Sequence, residues 1–262
     1  MSMSHKKNSK LIITGCNGLI GSILSENLKN KYEILGIDLK QSTKIPSVSI
    51  NTASNKDMKK IFEGYDVVID LAAHASTNTL WEKVYANNIQ STYNVIKSAS
   101  ESGIKRVIFA SSNHVTGMYE NDYPYKNIVS GNYPKKSKIP YITTKMPIRP
   151  DSPYGIGKST GESIGKYFSE KFNTSIICIR IGTVNLENKP VDSEGTTGIR
   201  SFATLLTHND LIQLIEKSIN ASSDLKYEIF YGVSNNKWRF WDIKDSETKI
   251  GYIPNDNAEK WR

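Results

Sequence analysis

One loop, Gly15-x-x-Gly18-x-x-Gly21, narrows the folds open to this chain more than any other feature. It follows the apolar run Lys10-Leu-Ile-Ile-Thr14, which reads as a buried parallel strand. It opens a segment with Leu19, Ile20, Ile23, Leu24 and Leu28 at helical spacing. A second strand is expected over 32–38, ending at Asp38. Strand, glycine turn, helix and strand make a βαβ unit. In such a unit Gly15 permits the tight turn and Gly18 lets backbone amides approach an anion at the helix N-terminus. Gly21 lets helix and strand pack closely. Glycines also serve plain turns, but an acid closing the next strand favours a bound dinucleotide. Asp38 can accept both adenosine ribose hydroxyls and repels a 2′-phosphate, so NAD is expected over NADP, with Lys40 weighing the other way. Gly15, Asn17, Gly18, Leu19, Ile20, Gly21 and Asp38 are therefore candidate cofactor contacts.

The alternation continues. The sequence predicts a third strand over 47–51, a short helix over 56–62, a fourth strand over 66–71 and a long helix over 80–101. It then predicts a fifth strand over 106–110, a helix over 154–172 and a sixth strand over 175–181. This pattern implies an α/β class, a Rossmann-type doubly wound parallel sheet covered on both faces. We expect residues 1–181 to form the NAD-binding Rossmann domain carrying the reactive residues. Residues 182–262 would form a small substrate-binding portion, with a helix near 209–219, a strand over 227–233 and a helix near 241–248. The long stretch 119–150 interleaves with it. It is rich in tyrosine, proline and lysine, and a loop of that length is functional or mobile as a rule.

Bulk properties remove other classes. A chain of 262 residues suits one domain with a modest appendage, and no stretch is apolar enough to span a membrane. Net charge is +8, from 34 basic and 26 acidic residues, but no nucleic-acid motif accompanies it. A surface suited to anionic ligands explains it as well. Cys16 and Cys178 read as free thiols in a reducing compartment, the cytoplasm, and the four histidines are too scattered for metal binding. Met1 to Lys10 is polar and basic without a secretory apolar core, so a frayed tail or an expression scar is expected.

A second constellation lies later in the chain. Ser111-Ser112 closes the fifth strand, and Tyr154 and Lys158 stand one helical turn apart. A tyrosine near its ordinary pKa of ~10 is a poor base at neutral pH, and a lysine cation on the same face favours phenolate. Tyr154 can then take a hydroxyl proton while carbon gives up hydride to a nicotinamide, with Ser112 orienting the oxygen. Surface Tyr/Lys pairs are common, but this one follows a glycine loop and a Ser-Ser strand end in the order hydride transfer requires. Leu71, Ala72 and Ala73 end the fourth strand as small or apolar residues against which a cofactor can lie. His74 beside them is as readily a plain loop histidine, and it receives no catalytic part.

These residues together resemble the extended short-chain dehydrogenase/reductases, the group that includes nucleotide-sugar epimerases and dehydratases. The match runs roughly from Lys10 to Ile181. Most epimerases carry Ser-x-x-Val-Tyr-Gly after the fifth strand, whereas this chain has Ser111-Ser-Asn-His-Val-Thr-Gly117. That departure, with Arg180-Ile-Gly182 and the tail from Tyr231 to Asn257, is similar to uronate dehydrogenases and to short-chain-type NAD-dependent glucose-6-phosphate dehydrogenases. The resemblance implies NAD-dependent oxidation of a sugar at its anomeric carbon, with Ser112, Tyr154 and Lys158 catalytic and Ile181 near the cofactor. It implies that Arg200 grips an anionic sugar group, a carboxylate or a phosphate. It places Ala75, Ser76, Ser112, Asn113, His114 and Tyr154 in the same pocket, and it implies a homodimer. Asn51 stands where the family's third-strand acid is expected. Two other readings stay open: a nucleotide-sugar epimerase or dehydratase, and a non-catalytic NAD(H)-binding regulator. The short chain after Lys158 weighs against the first, and the complete Ser/Tyr/Lys set against the second.

Overall fold

Seven parallel strands form one sheet in the order β3-β2-β1-β4-β5-β6-β7. The computed structural model describes residues 9–192 and 194–262; the expected N-terminal tail lies outside them up to residue 8. The first half runs β1 (Lys10–Thr14), α1 (Leu19–Leu28), β2 (Glu33–Asp38), β3 (Ser47–Ser49), α2 (Lys59–Phe62) and β4 (Val67–Asp70). A continuous helical run follows: α3 (Trp81–Lys83), a π-helical stretch Val84–Ile89, and α4 (Gln90–Glu101). Then come β5 (Arg106–Ser112), a 3₁₀ stretch Asn113–Asn121, α5 (Tyr125–Val129), α6 (Pro153–Phe172) and β6 (Ser175–Ile181). The chain ends with α7 (Ser201–Thr204), α8 (His208–Ile219), β7 (Tyr227–Gly232) and α9 (Lys244–Ile250).

The strands are apolar throughout because both faces are covered. Leu11 and Ile13 point into one core with Leu24 of α1 and Leu211 and Leu214 of α8. Ile12 points the other way, with Val107, Phe109, and Val95 of α4 and Phe168 of α6. The expected Rossmann-type sheet is thus present. Its order reverses between β1 and β4, the position where open α/β sheets leave a crevice for ligands.

Two features go beyond the sequence reading. Residues 182–262 do not form a separate packing unit: β7 pairs with β6 in the main sheet, and one core joins both parts. The stretch 119–150 is docked, not free. Tyr133 stacks on Trp238 at 4.2 Å between ring centres, and Ile142 bridges to Trp241. Among the described residues, no helix is long and apolar enough to cross a membrane.

Candidate active site

Two adjoining cavities lie along the carboxyl ends of the strands and share Gly18, Leu71 and Ala73 in their walls. The first, about 230 Å³, is lined by Gly15, Gly18, Asp38, Ala72, His74 and the segment 50–53. The second, about 710 Å³, is lined by Gly18–Gly21, Ala75, Ser76, Ser112, Asn113, His114, Tyr154, Lys158, Ile181 and Arg200.

The glycine loop is built as its spacing predicts. Gly15 has φ +66°, a left-handed conformation that favours glycine, and its amide donates to the Ile37 carbonyl at 2.8 Å. A Cβ at Gly21 would lie 2.2 Å from the Gly15 carbonyl oxygen, so a side chain there would push α1 off the loop. Gly18 caps α1 without a side-chain hydrogen bond, which leaves first-turn amides for an anion. Asp38 lines the smaller cavity, and its carboxylate accepts from the Asn17 and Leu39 amides at 2.9 and 2.7 Å. A glycine turn, open helix amides and a fixed carboxylate beside a cavity all fit a dinucleotide. Asn17 departs from expectation. It lines neither cavity, and its amide nitrogen donates to the Lys40 carbonyl at 2.8 Å, tying the loop to the end of β2.

The β4 end is fixed by Thr14, whose hydroxyl donates to Asp70 at 2.6 Å and accepts from the Leu71 and Ala72 amides at 3.1 and 3.2 Å. Asn88, in the π-helical stretch, exchanges two hydrogen bonds with the His74 backbone at 2.8 and 3.1 Å. The same stretch brings Asn87 to the smaller cavity, where Ser91 follows one turn on.

At the other end, α6 starts sharply. Ser152 caps it by accepting from the Gly155 amide at 3.1 Å, and Pro153 occupies its first turn. Tyr154 and Lys158 are thereby carried onto the cavity facing Ser112 at the end of β5. Both are buried. Burial pushes the Tyr154 phenol up to about 12, with the Ser112 hydroxyl acting the other way. Burial pushes the Lys158 ammonium down to about 8, with Asp70 opposing. The Lys158 Nζ stands 5.7 Å from the centre of the Tyr154 ring and 4.8 Å from that of Phe109. Desolvation therefore moves Tyr154 in the direction opposite to the one a neighbouring lysine charge would give.

His114 lines the cavity edge-on to Tyr154, and its Nδ1 meets Asp151 Oδ2 at 2.7 Å. Burial raises the Asp151 carboxyl, but hydrogen bonds from His114 and Ser152 and the charges of His114 and Arg200 hold it below its ordinary value.

Arg200 also reaches the cavity, but not as an unpaired cation. Its Nε and Nη2 donate to Glu120 at 2.6 and 2.7 Å, and Nη2 also donates to Asn113 Oδ1 at 3.0 Å. Asn113 in turn donates to the Ile181 carbonyl at 2.8 Å. Behind the site, Glu162 of α6 holds Arg180 of β6 through two contacts at 2.8 and 2.9 Å and accepts from Ser111 at 2.6 Å.

The structure thus brings every candidate residue except Asn17 to one of the two cavities. Sequence reasoning missed Thr52, Asn87, Ser91, Thr183 and Val184 in the walls, and it missed Asp151 and Glu120 as partners of wall residues. The i, i+4 spacing of Asn87 and Ser91 was a usable signal; the partnerships, formed across long separations, had none. Among the described residues, no group of His, Cys, Asp and Glu could hold a metal ion.

Comparison with known proteins agrees with this geometry. The sequence pattern of the NAD dependent epimerase/dehydratase family matches residues 11–211. An L-arabinose 1-dehydrogenase (NAD(P)(+)) of Haloferax volcanii is 29% identical over 95% of this chain and 98% of its own. An NAD-dependent glucose-6-phosphate dehydrogenase of the same organism is 28% identical over 96% and 95%. The crystal structure of uronate dehydrogenase from Agrobacterium tumefaciens is 26% identical, with a TM-score of 0.79 over 97% of this chain and 87% of that one. A mutant of that enzyme was solved complexed with NAD.

Proposed function

The chain belongs to the NAD dependent epimerase/dehydratase family and is an NAD-dependent oxidoreductase of the extended short-chain type; on that premise we propose that it oxidises a free sugar at the anomeric carbon to the lactone, with Tyr154 as general base. One observation carries the reading: Ser112, Tyr154 and Lys158 meet on one cavity that adjoins the glycine-loop groove.

The residues divide the work as follows. Gly15, Gly18 and the first turn of α1 would hold the cofactor diphosphate, and Asp38 its adenosine ribose. Ser112 would orient the C1 hydroxyl. Tyr154 takes the hydroxyl proton as the C1–H electron pair departs, and the C1–O bond becomes the lactone carbonyl. When bound, oxidised NAD would supply the hydride acceptor and a positive charge that favours phenolate, as the Lys158 ammonium does. A phenol held this high by burial needs positive charge beside it to act as a base.

NADH formation at 340 nm, screened over neutral aldoses, uronates, hexose 6-phosphates and UDP-sugars, tests the reading. Tyr154→Phe should lose turnover while binding NADH, followed by fluorescence, about as well as the wild type. Near-normal turnover in that variant would remove Tyr154 as base. Interconversion of a UDP-sugar without net NADH would favour an epimerase and end the proposal.

A further inference from the structure

We propose that the substrate is a neutral aldose and that Glu120 is the residue that excludes an acidic one; this inference rests on the sugar-oxidising reading above.

A guanidinium grips a carboxylate or phosphate by offering two parallel N–H groups along one edge. Arg200 has no edge left to offer. Glu120 takes the Nε edge with both carboxylate oxygens, at 2.6 and 2.7 Å. Asn113 Oδ1 takes the other Nη2 hydrogen at 3.0 Å. Nη1 lies 3.2 and 3.4 Å from the hydroxyls of Thr183 and Thr204. The two hydroxyls stand 2.7 Å apart and so share one Nη1 hydrogen; four of the five N–H donors are engaged, and no two parallel ones remain free.

Glu120 is also held in place. It is the more buried partner, 13% exposed against 33% for Arg200. It sits in the 3₁₀ stretch Asn113–Asn121, and its neighbour Tyr119 is fixed by a hydrogen bond to the Pro147 carbonyl at 3.1 Å and by the Arg149 guanidinium over its ring. Arg149 is itself paired with Asp122. The long basic stretch thus delivers a carboxylate to Arg200, which lines the cavity. Asp151, the partner of the wall residue His114, is a second carboxylate close enough to Arg200 for the two charges to act on each other. An acidic sugar would find the Arg200 guanidinium already neutralised by a carboxylate behind the wall. A sugar hydroxyl meets acceptors it can donate to, at no cost in charge.

The test uses two sugar sets matched in ring configuration and differing only at C5: D-galactose, L-arabinose and D-galacturonate, and D-glucose, D-xylose and D-glucuronate. D-Glucose 6-phosphate is added to the second. The wild type should show kcat/KM at least about tenfold higher for a neutral member than for the acid of its set, since the acid's charge would be desolvated against a cation that is already paired. Glu120→Gln should move that ratio toward the acid by about tenfold or more, lowering neutral-sugar turnover while raising that of the acid. A purely structural role for Glu120 would lower all members in proportion, and that result overturns the proposal. So does a wild type that prefers a uronate or the 6-phosphate. The wild-type ratio alone decides if the variant does not fold. Preference for an acid ends this inference and leaves the sugar dehydrogenase standing; no NADH from any sugar, with NADH binding intact, ends both.

Discussion

In the proposed mechanism Lys158 serves catalysis at the expense of stability, and its removal separates the two. Burial lowers its pKa from 10.5 to about 8, with Asp70 and the Cys178 side chain acting the other way. A drop of that size corresponds to about 3 kcal/mol of penalty for keeping the ammonium charged in the folded chain. The penalty is full below pH 8, where folded and unfolded states both hold the proton. Between pH 8 and the unfolded value near ~10.4 the unfolded chain binds more protons, so wild-type stability rises with pH across that window. Lys158→Met keeps the stem and removes the charge. The variant gives up the Phe109 ring contact and leaves Asp70, whose pKa burial already raises, without a nearby cation. The net gain at pH 7 is then about 1–3 kcal/mol. Unfolding entropy of ~2.1 cal/mol/K per residue gives roughly 0.5 kcal/mol per degree for this chain, so Tm should rise by about 2–5 °C. The gain should shrink as the buffer moves from pH 8 to pH 10. Turnover, measured as NADH formation, should fall by ~10² or more. Calorimetric melts of both proteins at several pH values decide the matter. A variant that melts below the wild type at pH 7, or a difference that ignores pH, would refute the claim that desolvation dominates at Lys158.

What the sequence made legible was local. The apolar runs at 10–14, 106–110 and 175–181 gave parallel strands because each is buried on both faces, and the glycine spacing placed the α1 turn. Tyr154 and Lys158 were visible because a helix turn fixes their relation. The π-helical stretch was not: the run 80–101 reads as one regular helix, and its wider turn shows only in how Asn88 grips the His74 loop. The pKa directions were missed because spacing reports a neighbouring charge but not burial, and burial is larger here. The 119–150 stretch looked loose because what holds it, Trp238 on Tyr133 and Trp241 beside Ile142, lies about a hundred residues away. The ion pair of Arg200 is hidden from the sequence for the same reason. The arginine itself was plain, and its neutralising partner Glu120 sat eighty positions upstream.

Two further outcomes can be checked directly. Asp38→Ser should narrow the preference for NAD over NADP by about tenfold or more, because the carboxylate that repels a 2′-phosphate is gone; equal use of both cofactors by the wild type would show that Asp38 does not set it. Glu162→Leu should destabilise the fold more than any surface change. Its side chain and that of Arg180 are 6% and 1% exposed, and it is the guanidinium's only carboxylate partner in the contacts seen. Removing it strands a buried cation, at a cost of about 3–5 kcal/mol, or roughly 5–9 °C in Tm on the same entropy scale. Ser111 loses its acceptor too, so the strand end carrying Ser112 should shift and kcat should fall. The double variant Glu162→Leu/Arg180→Met removes the stranded charge and should melt above Glu162→Leu alone. If the double variant melts lower still, with the two losses adding, the penalty lies in packing around the β5–α6–β6 junction and not in an uncompensated charge.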